Sequence, residues 1–305
     1  QGSVLGPILF ILYINDVTDI LVDDVSCKLY ADDLKLYCPI VPTLGFSESL
    51  QTSLDNLCDW SLKWQLPINV DKSFFVTISR NNICNCVHSY RILCSLLTRR
   101  FSVDDLGIAY DCNLCFDNYV NNIASSAKAK VGLLFRSFKT RDPALLKRAY
   151  VTYIRPKLEY ASNLWNPFHK TTIAVLENVQ RYFTRRIPSL SIFSYEERLA
   201  MLNLDTLEKR RLKSDLVLYY KILHGLSSIP ASAFDTYNTC SVSRSKSSLL
   251  RKNIAGTQAC YFSFFNRAVD CWNVLPSSLT DASSLSVFRS RLDMTDLSHY
   301  CTVLA

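Results

Sequence analysis

The chain has 305 residues, of which 49% are hydrophobic and 20% are charged, and its formal net charge is +7. This composition excludes a disordered chain, and the length suggests two domains. We expect no membrane span, because the apolar run ILFILYI at residues 8–14 is far shorter than the roughly 20 residues that a membrane helix requires.

The first two predicted elements are an apolar helix and a β-hairpin. After a Gly-Pro turn, the sequence PILFILYINDV is apolar on nearly every side, which predicts a helix buried beneath a sheet. In CKLYADDLKLY, residues 27–37, apolar residues then alternate with polar or aromatic ones, as in two half-buried strands around a tight turn. The turn would hold Ala31, Asp32 and Asp33.

A helix followed by short strands is predicted next. Ser47 is a suitable N-cap, and leucines recur after it near helical spacing as far as Trp64, before Pro67 ends the helix. The sequence LPINVDKSFFVTISR then predicts one strand turning into another, with further strands to about Tyr110. Residues 1–116 are therefore predicted to be an α+β domain.

Five helices are predicted over residues 117–225. Five segments there carry an apolar face at helical spacing, with Lys and Arg on the other faces. Their expected capping residues are Ser194 with Glu197, Asp205 with Glu208, and, after the last helix, Gly225. Residues 226–305 are predicted to be a Ser-rich linker and a small C-terminal segment that ends in a helix around SLSVFRSRL.

The adjacent carboxylates of Asp32 and Asp33 repel each other and must be solvated or bound to a cation. Mg²⁺ and Mn²⁺ take hard oxygen ligands, and a two-metal site for nucleotidyl transfer uses carboxylates on rigid neighbouring strands. Taken alone, however, such a pair is more often an ordinary polar turn. The pair by itself leaves both interpretations open.

A wider pattern surrounds this pair. The sequence QGSVLGPILFILYIND shortly precedes Tyr30-Ala31-Asp32-Asp33, which resembles the palm of reverse transcriptases, where a Gln-Gly loop and a helix precede a Tyr-x-Asp-Asp hairpin. LDNLCDWSLKWQLPINVDKS, YVTYIRPKLEYASNLWNP and LENVQRYFTRRI further resemble non-LTR retrotransposons of the jockey-like kind, so that the resemblance covers nearly the whole chain. It implies an α+β fold, with a partial polymerase palm over residues 1–116 and a thumb-like all-α domain over residues 117–225.

The resemblance also implies roles for individual residues. Asp32 and Asp33 would be the catalytic carboxylates that bind Mg²⁺ or Mn²⁺, with Asp33 close to the ions or to the primer end. Lys72 would protonate or stabilise the leaving pyrophosphate, unless it is an ordinary surface lysine. Tyr30 would pack under the hairpin near the nucleotide, and a glycine in the Gln-Gly loop would permit close backbone approach. The substrate-binding residues would thus be Gln1, Gly2 and Tyr30.

The resemblance further implies that the two-ion site is incomplete. In the family, the first catalytic Asp lies upstream of the Gln-Gly loop, and this chain opens on that loop, with Gln1 in place of Met. We therefore expect a C-terminal piece of a longer RNA-directed DNA polymerase, which would use an RNA template, a DNA primer and deoxynucleotide triphosphates. These 305 residues alone are expected not to polymerise DNA.

Positive charge is concentrated in the middle of the chain. Residues 1–127 carry a net charge of −6, whereas residues 128–224 carry +11. Basic residues on the predicted helices would contact phosphates of a primer–template duplex, which position nucleic acid without reading its sequence. The alternative is a set of solvated helix faces. The candidates are Lys128, Lys130, Arg136, Lys139, Arg141, Arg181, Arg185, Arg186, Lys209, Arg210, Arg211 and Lys213.

Three functions are compatible with these patterns, of which the last is a purely structural interaction domain that would show no salt-sensitive binding of nucleic acid. The first is a retrotransposon reverse transcriptase, which must reach chromosomal DNA and would be intracellular, in the nucleus or the cytoplasm. The second is a degenerate or co-opted remnant that binds nucleic acid without catalysis. The intact YADD sequence favours descent from a working polymerase, and twelve cysteines without a short-spaced framework fit a reducing compartment.

Overall fold

The computed structural model describes residues 3–40, 46–79, 89–236, 249–253 and 256–302. The chain packs as two compact units. The first unit comprises Gln1–Leu106 with Asp111–Asn113, and the second comprises Gly107–Tyr110 with Leu114–Ala305. Helices and small sheets are both present, which confirms the predicted mixed class of fold.

The first unit combines two helices with short strands. Its α-helices are α1 (Gly6–Ile14) and α2 (Glu48–Trp64), and its 3₁₀ helices are Asn15–Ile20 and Val70–Lys72. The strands are β1 (Ser26–Tyr30), β2 (Asp33–Tyr37), β3 (Phe74–Phe75), β4 (Arg91–Ile92), β5 (Ser95–Leu96), β6 (Thr98–Arg99) and β7 (Ser102–Asp105), and the chain passes to the second unit along β8 (Ile108–Asp111). Strands β1 with β2 and β4 with β5 pair antiparallel, and β3 pairs parallel with β6.

The predicted hairpin and the helix after it form as expected. In β1 and β2, Cys27 lies opposite Leu36 and Leu29 lies opposite Leu34, so the hairpin has one apolar face. That face packs towards a small core of Val17, Leu57 and Trp60, the last two from α2. The Ser47 side chain accepts a hydrogen bond from Leu50 N, which confirms the predicted N-cap.

The prediction that α1 is buried is wrong. None of its residues is buried, and Ile8, Leu9 and Leu12 are 55%, 60% and 69% exposed. An all-round apolar helix is buried only where other elements surround it, and within the described residues only the end of α1 meets the core. There, Ile14 packs on the Val17 cluster, and Tyr13 Oη donates a hydrogen bond to Trp64 O at 2.5 Å.

The second unit is almost entirely helical. Its first seven α-helices are α3 (Asp117–Ser137), α4 (Pro143–Tyr153), α5 (Arg155–Glu159), α6 (Ser162–Trp165), α7 (Lys170–Arg185), α8 (Tyr195–Leu202) and α9 (Leu207–Leu223). The remainder comprises α10 (Gln258–Tyr261), α11 (Phe264–Arg267), α12 (Val269–Val274), α13 (Ser277–Thr280) and α14 (Leu285–Asp293), with strands β9 (Asp235–Thr236) and β10 (Leu250–Arg251) paired antiparallel. Short 3₁₀ helices cover Pro188–Leu190, Ala231–Ala233 and Ser298–Tyr300.

The predicted caps of this unit are confirmed at two of three places. Ser194 and Glu197 form a reciprocal capping box at α8, and Gly225, with φ of +66°, follows the end of α9 in the left-handed conformation. The prediction for Asp205 is wrong, because Thr206 caps α9 by accepting from Lys209 N at 3.1 Å. The carboxylate of Asp205 instead pairs with lysines of α9.

The C-terminal segment shares a core with the last long helix. Leu216, Tyr219 and Ile222 of α9 are fully buried in a cluster with residues of α12 and α14, including Trp272 and Phe288. Helix α14 confirms the predicted helix around SLSVFRSRL, with Ser284 as its N-cap. The predicted division at residues 116 and 225 into palm, thumb and tail stays a prediction.

Candidate functional site

Both candidate carboxylates stand at the exposed tip of the β1–β2 hairpin. Tyr30 pairs with Asp33 at the end of the ladder, so Ala31 and Asp32 form the two-residue connection. Because side chains alternate across a strand, Asp33 lies on the polar face, with Tyr30 and Lys35, and away from the leucines. Asp32 and Asp33 are both exposed. The hairpin therefore presents two adjacent, exposed carboxylates at its turn.

The turn carries backbone strain at Ala31. Its φ is +53°, in the left-handed region that favours glycine. A non-glycine residue there costs on the order of 1 kcal/mol or more, and such strain concentrates at functional sites. The flanking ladder, which pairs five residues of each strand, holds the turn in this conformation.

Lys35 anchors the same polar face. It forms an ion pair with Asp105 of β7, and both partners belong to the first unit. This pair and the apolar underside, which packs towards α2, fix the base of the hairpin while its tip stays open to solvent.

The other predicted site residues of the first unit are either exposed or outside the described residues. Tyr30 is 63% exposed and does not pack under the hairpin, because it shares the polar face with Asp33. Lys72 is exposed at the end of a 3₁₀ helix, and its backbone N–H donates to Asn69 Oδ1 at 3.1 Å. Gln1 and Gly2 lie outside the described residues.

The donor set at the tip fits a divalent cation only in part. Carboxylate oxygens are the ligands that Mg²⁺ and Mn²⁺ prefer, and adjacent carboxylates favour a cation between them. However, no group of three or more Asp, Glu, His or Cys residues that could hold a metal occurs among the described residues. Asp32 and Asp33 thus supply the right chemistry in too small a number to hold two ions.

The predicted basic residues separate into two groups, and the first is exposed except for the half-buried Arg181. Lys128, Lys130 and Arg136 lie on the outside of α3, and Lys139 follows its end. Helix α7 packs along α3 and adds Arg181, Arg185 and Arg186, the last two exposed.

Aromatic rings lie among the exposed cations. Lys128 Nζ is 5.2 Å from the centre of the Tyr182 ring, and Arg186 stacks on the same ring and donates to its hydroxyl at 2.7 Å. Arg181 lies 4.6 Å from the ring of Tyr195. We call the surface formed by Lys128, Tyr182, Arg185 and Arg186 the basic ridge. It combines positive charge with an aromatic ring, as phosphate and base contacts require.

The second group is used within the fold, contrary to the predicted groove. Lys209 pairs with Asp205 at 3.0 Å, and Arg210 forms a two-pronged pair with Glu159. Lys213 bridges Asp205 and Asp293 at 2.8 and 2.9 Å. Arg211 is 1% exposed, so it is not available at the surface. Arg141, from the same prediction, donates to carbonyls at the end of α3.

One buried ion pair of this unit was not anticipated. Asp215 of α9 is 1% exposed and receives two hydrogen bonds from Arg267 of α11. A signal existed in the sequence, because Asp215 stands four residues before Tyr219 in the apolar stripe of α9, where a charged residue is unexpected. Its partner, 52 residues further along the chain, carried no such signal.

Comparison with known proteins supports the resemblance to reverse transcriptases that the sequence around the hairpin showed. Residues 1–119 match the family described as "Reverse transcriptase (RNA-dependent DNA polymerase)". The RNA-directed DNA polymerases from mobile element jockey of Drosophila funebris and Drosophila melanogaster are 26% and 27% identical over 196 and 197 residues, which is 61% of this chain and 21% of each polymerase.

A third relative is an uncharacterized protein of Caenorhabditis elegans, 32% identical over 126 residues, or 40% of this chain and 64% of that protein. The chain thus spans less than two thirds of the length of each of these relatives. No solved structure matches it. The YADD hairpin therefore lies within the residues that match the reverse transcriptase family, and the chain is similar to the RNA-directed DNA polymerases of jockey-type non-LTR retrotransposons.

Proposed function

We propose that this chain contributes the carboxylate hairpin of an RNA-directed DNA polymerase that extends a DNA primer on an RNA template. The observation that carries the proposal is the placement of Asp32 and Asp33 together at the exposed tip of a strained hairpin, inside the region that matches reverse transcriptases. A divalent ion there would supply electrostatic stabilisation of the phosphates.

The chain's own residues would hold and position the reacting groups. Asp32 and Asp33 would act as the local negative charges that fix the cation, together with at least one further carboxylate beyond the described residues. The ladder from Ser26 to Tyr37 would keep the two carboxylates at constant separation, since preorganised groups need no rearrangement during reaction. We accordingly propose that the 305 residues by themselves are inactive.

Primer extension tests this proposal. The purified chain is incubated with an RNA template, a labelled DNA primer, deoxynucleotides and Mg²⁺, alone and as part of a longer product of the same gene. We expect extension only by the longer protein, and we expect Asp32→Ala to abolish it. Asp59→Ala, at an exposed aspartate of α2, is the matched control and should leave extension unchanged. Full activity of Asp32→Ala in the longer protein would refute the role of the hairpin.

We propose as a second function that the basic ridge binds the nucleic acid. Its support is the exposure of Lys128, Arg185 and Arg186 around Tyr182, together with the excess of positive charge in residues 128–224. A non-catalytic remnant would retain this property, so binding without extension in every longer product would favour that alternative. Binding that is insensitive to salt would remove the phosphate contacts from the proposal.

An intracellular location follows from this proposal, because the template and the chromosomal target are inside the cell. Imaging of a tagged chain tests this location. A signal in the nucleus or the cytoplasm is expected, and secretion of the chain would contradict the proposal. No helix among the described residues is long and apolar enough to cross a membrane.

A further inference from the structure

A cavity of about 360 Å³ lies in the second unit, where α9 meets the end of α5 and helix α14. Four of its lining residues are basic, namely Arg210, Arg211, Lys213 and Arg289. Two are acidic, Glu159 and Asp293, and two serines add hydroxyl groups. Val217 and Leu292 add apolar surface, so the walls are of mixed polarity, and their basic residues outnumber the acidic ones.

Arg211 forms a buried part of the wall. The residue is 1% exposed, and its Nε donates to Asn166 Oδ1 at 2.8 Å. Its two terminal nitrogens, Nη1 and Nη2, are buried and have no hydrogen-bond acceptor among the described residues. A buried guanidinium without acceptors is unfavourable, because its charge has lost water without gaining a partner.

The carboxylates near Arg211 are already engaged. Four of them act on its charge, Glu177, Glu208, Asp215 and Glu159. Glu177 accepts from Tyr195 and from Leu207 N, Glu208 accepts from Thr302, and Asp215 accepts from Arg267. None of these hydrogen bonds involves Nη1 or Nη2 of Arg211, so the terminal edge of the guanidinium has no acceptor among the described residues.

The two acidic groups of the wall are likewise neutralised. Glu159 pairs with Arg210, and Asp293 pairs with Lys213. Arg289 is exposed and makes no hydrogen bond or ion pair with the described residues. The cavity wall therefore holds one guanidinium, that of Arg211, whose terminal donors lack acceptors, and one exposed guanidinium, that of Arg289, without a partner among the described residues.

We propose that this cavity binds a phosphate monoester, with Arg211 and Arg289 as its cationic contacts. A phosphate supplies the acceptors that Nη1 and Nη2 of Arg211 lack, and its oxygens suit the forked donor edge of a guanidinium. A cavity of this size also falls in the range that holds a small molecule. The phosphate could belong to a free small molecule or to the end of a nucleic-acid strand. The proposal does not depend on polymerase activity.

Isothermal titration of the full chain with AMP, at constant ionic strength, tests this site. Adenosine, which lacks the phosphate, is the ligand control. We expect AMP to bind and adenosine not to bind. Arg289→Gln and Arg211→Met should each weaken AMP binding by about tenfold or more, as expected for loss of a charge-assisted contact. Arg148→Gln, at an exposed arginine of α4, is the matched control and should leave binding unchanged.

Three results would overturn the proposal, and the first two are equal behaviour of AMP and adenosine and equal affinity of Arg289→Gln and Arg148→Gln for AMP. Circular dichroism monitors the folding of each variant. If Arg211→Met does not fold, the AMP affinity of Arg289→Gln alone tests the proposal. Displacement of AMP by a 5′-phosphorylated oligonucleotide assigns the phosphate to a strand end, whereas no displacement assigns it to a free small molecule. The third result is equal displacement of AMP by an oligonucleotide of the same sequence that carries a 5′-hydroxyl group, which would contradict a monoester site.

Discussion

Arg267 donates from Nε and Nη2 to the two carboxylate oxygens of Asp215, each at 2.8 Å. The side-chain amides of Asn163 and Asn166 donate to the same oxygens at 2.8 and 3.2 Å. Asp215 is thus a fully buried carboxylate with every oxygen satisfied. Because Asp215 lies on α9 and its partners come from α6, from the residue after α6 and from α11, this cluster joins α9 to the C-terminal segment.

Removal of Arg267 should be strongly destabilising. Arg267→Met leaves the Asp215 charge buried without its cation, and we expect the free energy of unfolding to fall by about 3–5 kcal/mol. Urea denaturation followed by circular dichroism measures the change. The double variant Asp215→Asn/Arg267→Met should lose less than Arg267→Met alone, because no uncompensated charge remains. A cost no larger than that of the exposed Arg148→Met would contradict this role.

Substitution of Ala31 tests the strain at the hairpin turn. Because φ is +53° at this position, Ala31→Gly should raise the free energy of unfolding by about 1 kcal/mol. The matched control is Ala129→Gly, at an exposed position of α3, which should lower it by about 0.5–1 kcal/mol. Thermal denaturation distinguishes the two signs. Destabilisation by both substitutions would show that the turn is not strained in solution.

The two groups of basic residues should respond differently to neutralisation. Lys128→Gln and Arg185→Gln remove exposed charges, so each should weaken DNA or RNA binding and reduce the salt slope by about 1. Lys209→Gln removes a partner of Asp205 instead, and it should leave the slope unchanged. Fluorescence anisotropy over a range of salt concentrations measures both effects. A reduced slope for Lys209→Gln alone would reverse the assignment of the two surfaces.

Asp205 should make the second unit sensitive to acid. Burial by itself raises its pKa, but hydrogen bonds and charge from Lys213 and Lys209 hold the pKa below the ordinary aspartate value. A carboxyl whose pKa is lower in the folded state stabilises the protein above its unfolded pKa, and that stabilisation is lost as pH falls through the folded pKa.

The melting temperature against pH measures this contribution. Wild type should melt above Asp205→Asn at pH 7, and the difference should shrink as pH falls below about 3.9. The Asn variant has no titrating group at this position, which makes it the appropriate reference. A difference that is constant from pH 7 to pH 2 would contradict the role of the two lysine pairs.

Much of the local structure was predictable from the sequence, because it depends on neighbours along the chain. Alternation around YADD specified the hairpin and placed its leucines on one face. Ser47, Ser194 and Gly225 marked helix ends because a side-chain oxygen or a glycine satisfies exposed backbone groups locally. The motif and its surroundings also identified the reverse transcriptase resemblance that residues 1–119 bear out.

The tertiary structure alone decided the relationships between residues that lie far apart along the chain. The exposure of α1 depends on which elements surround it, and composition does not encode that. The sequence shows Arg186, Arg210 and Arg211 as similar cations, yet the first is exposed, the second is paired and the third is buried. Charge is a local property of a residue, whereas its partner and its access to water are set by the packing of helices that lie far apart along the chain.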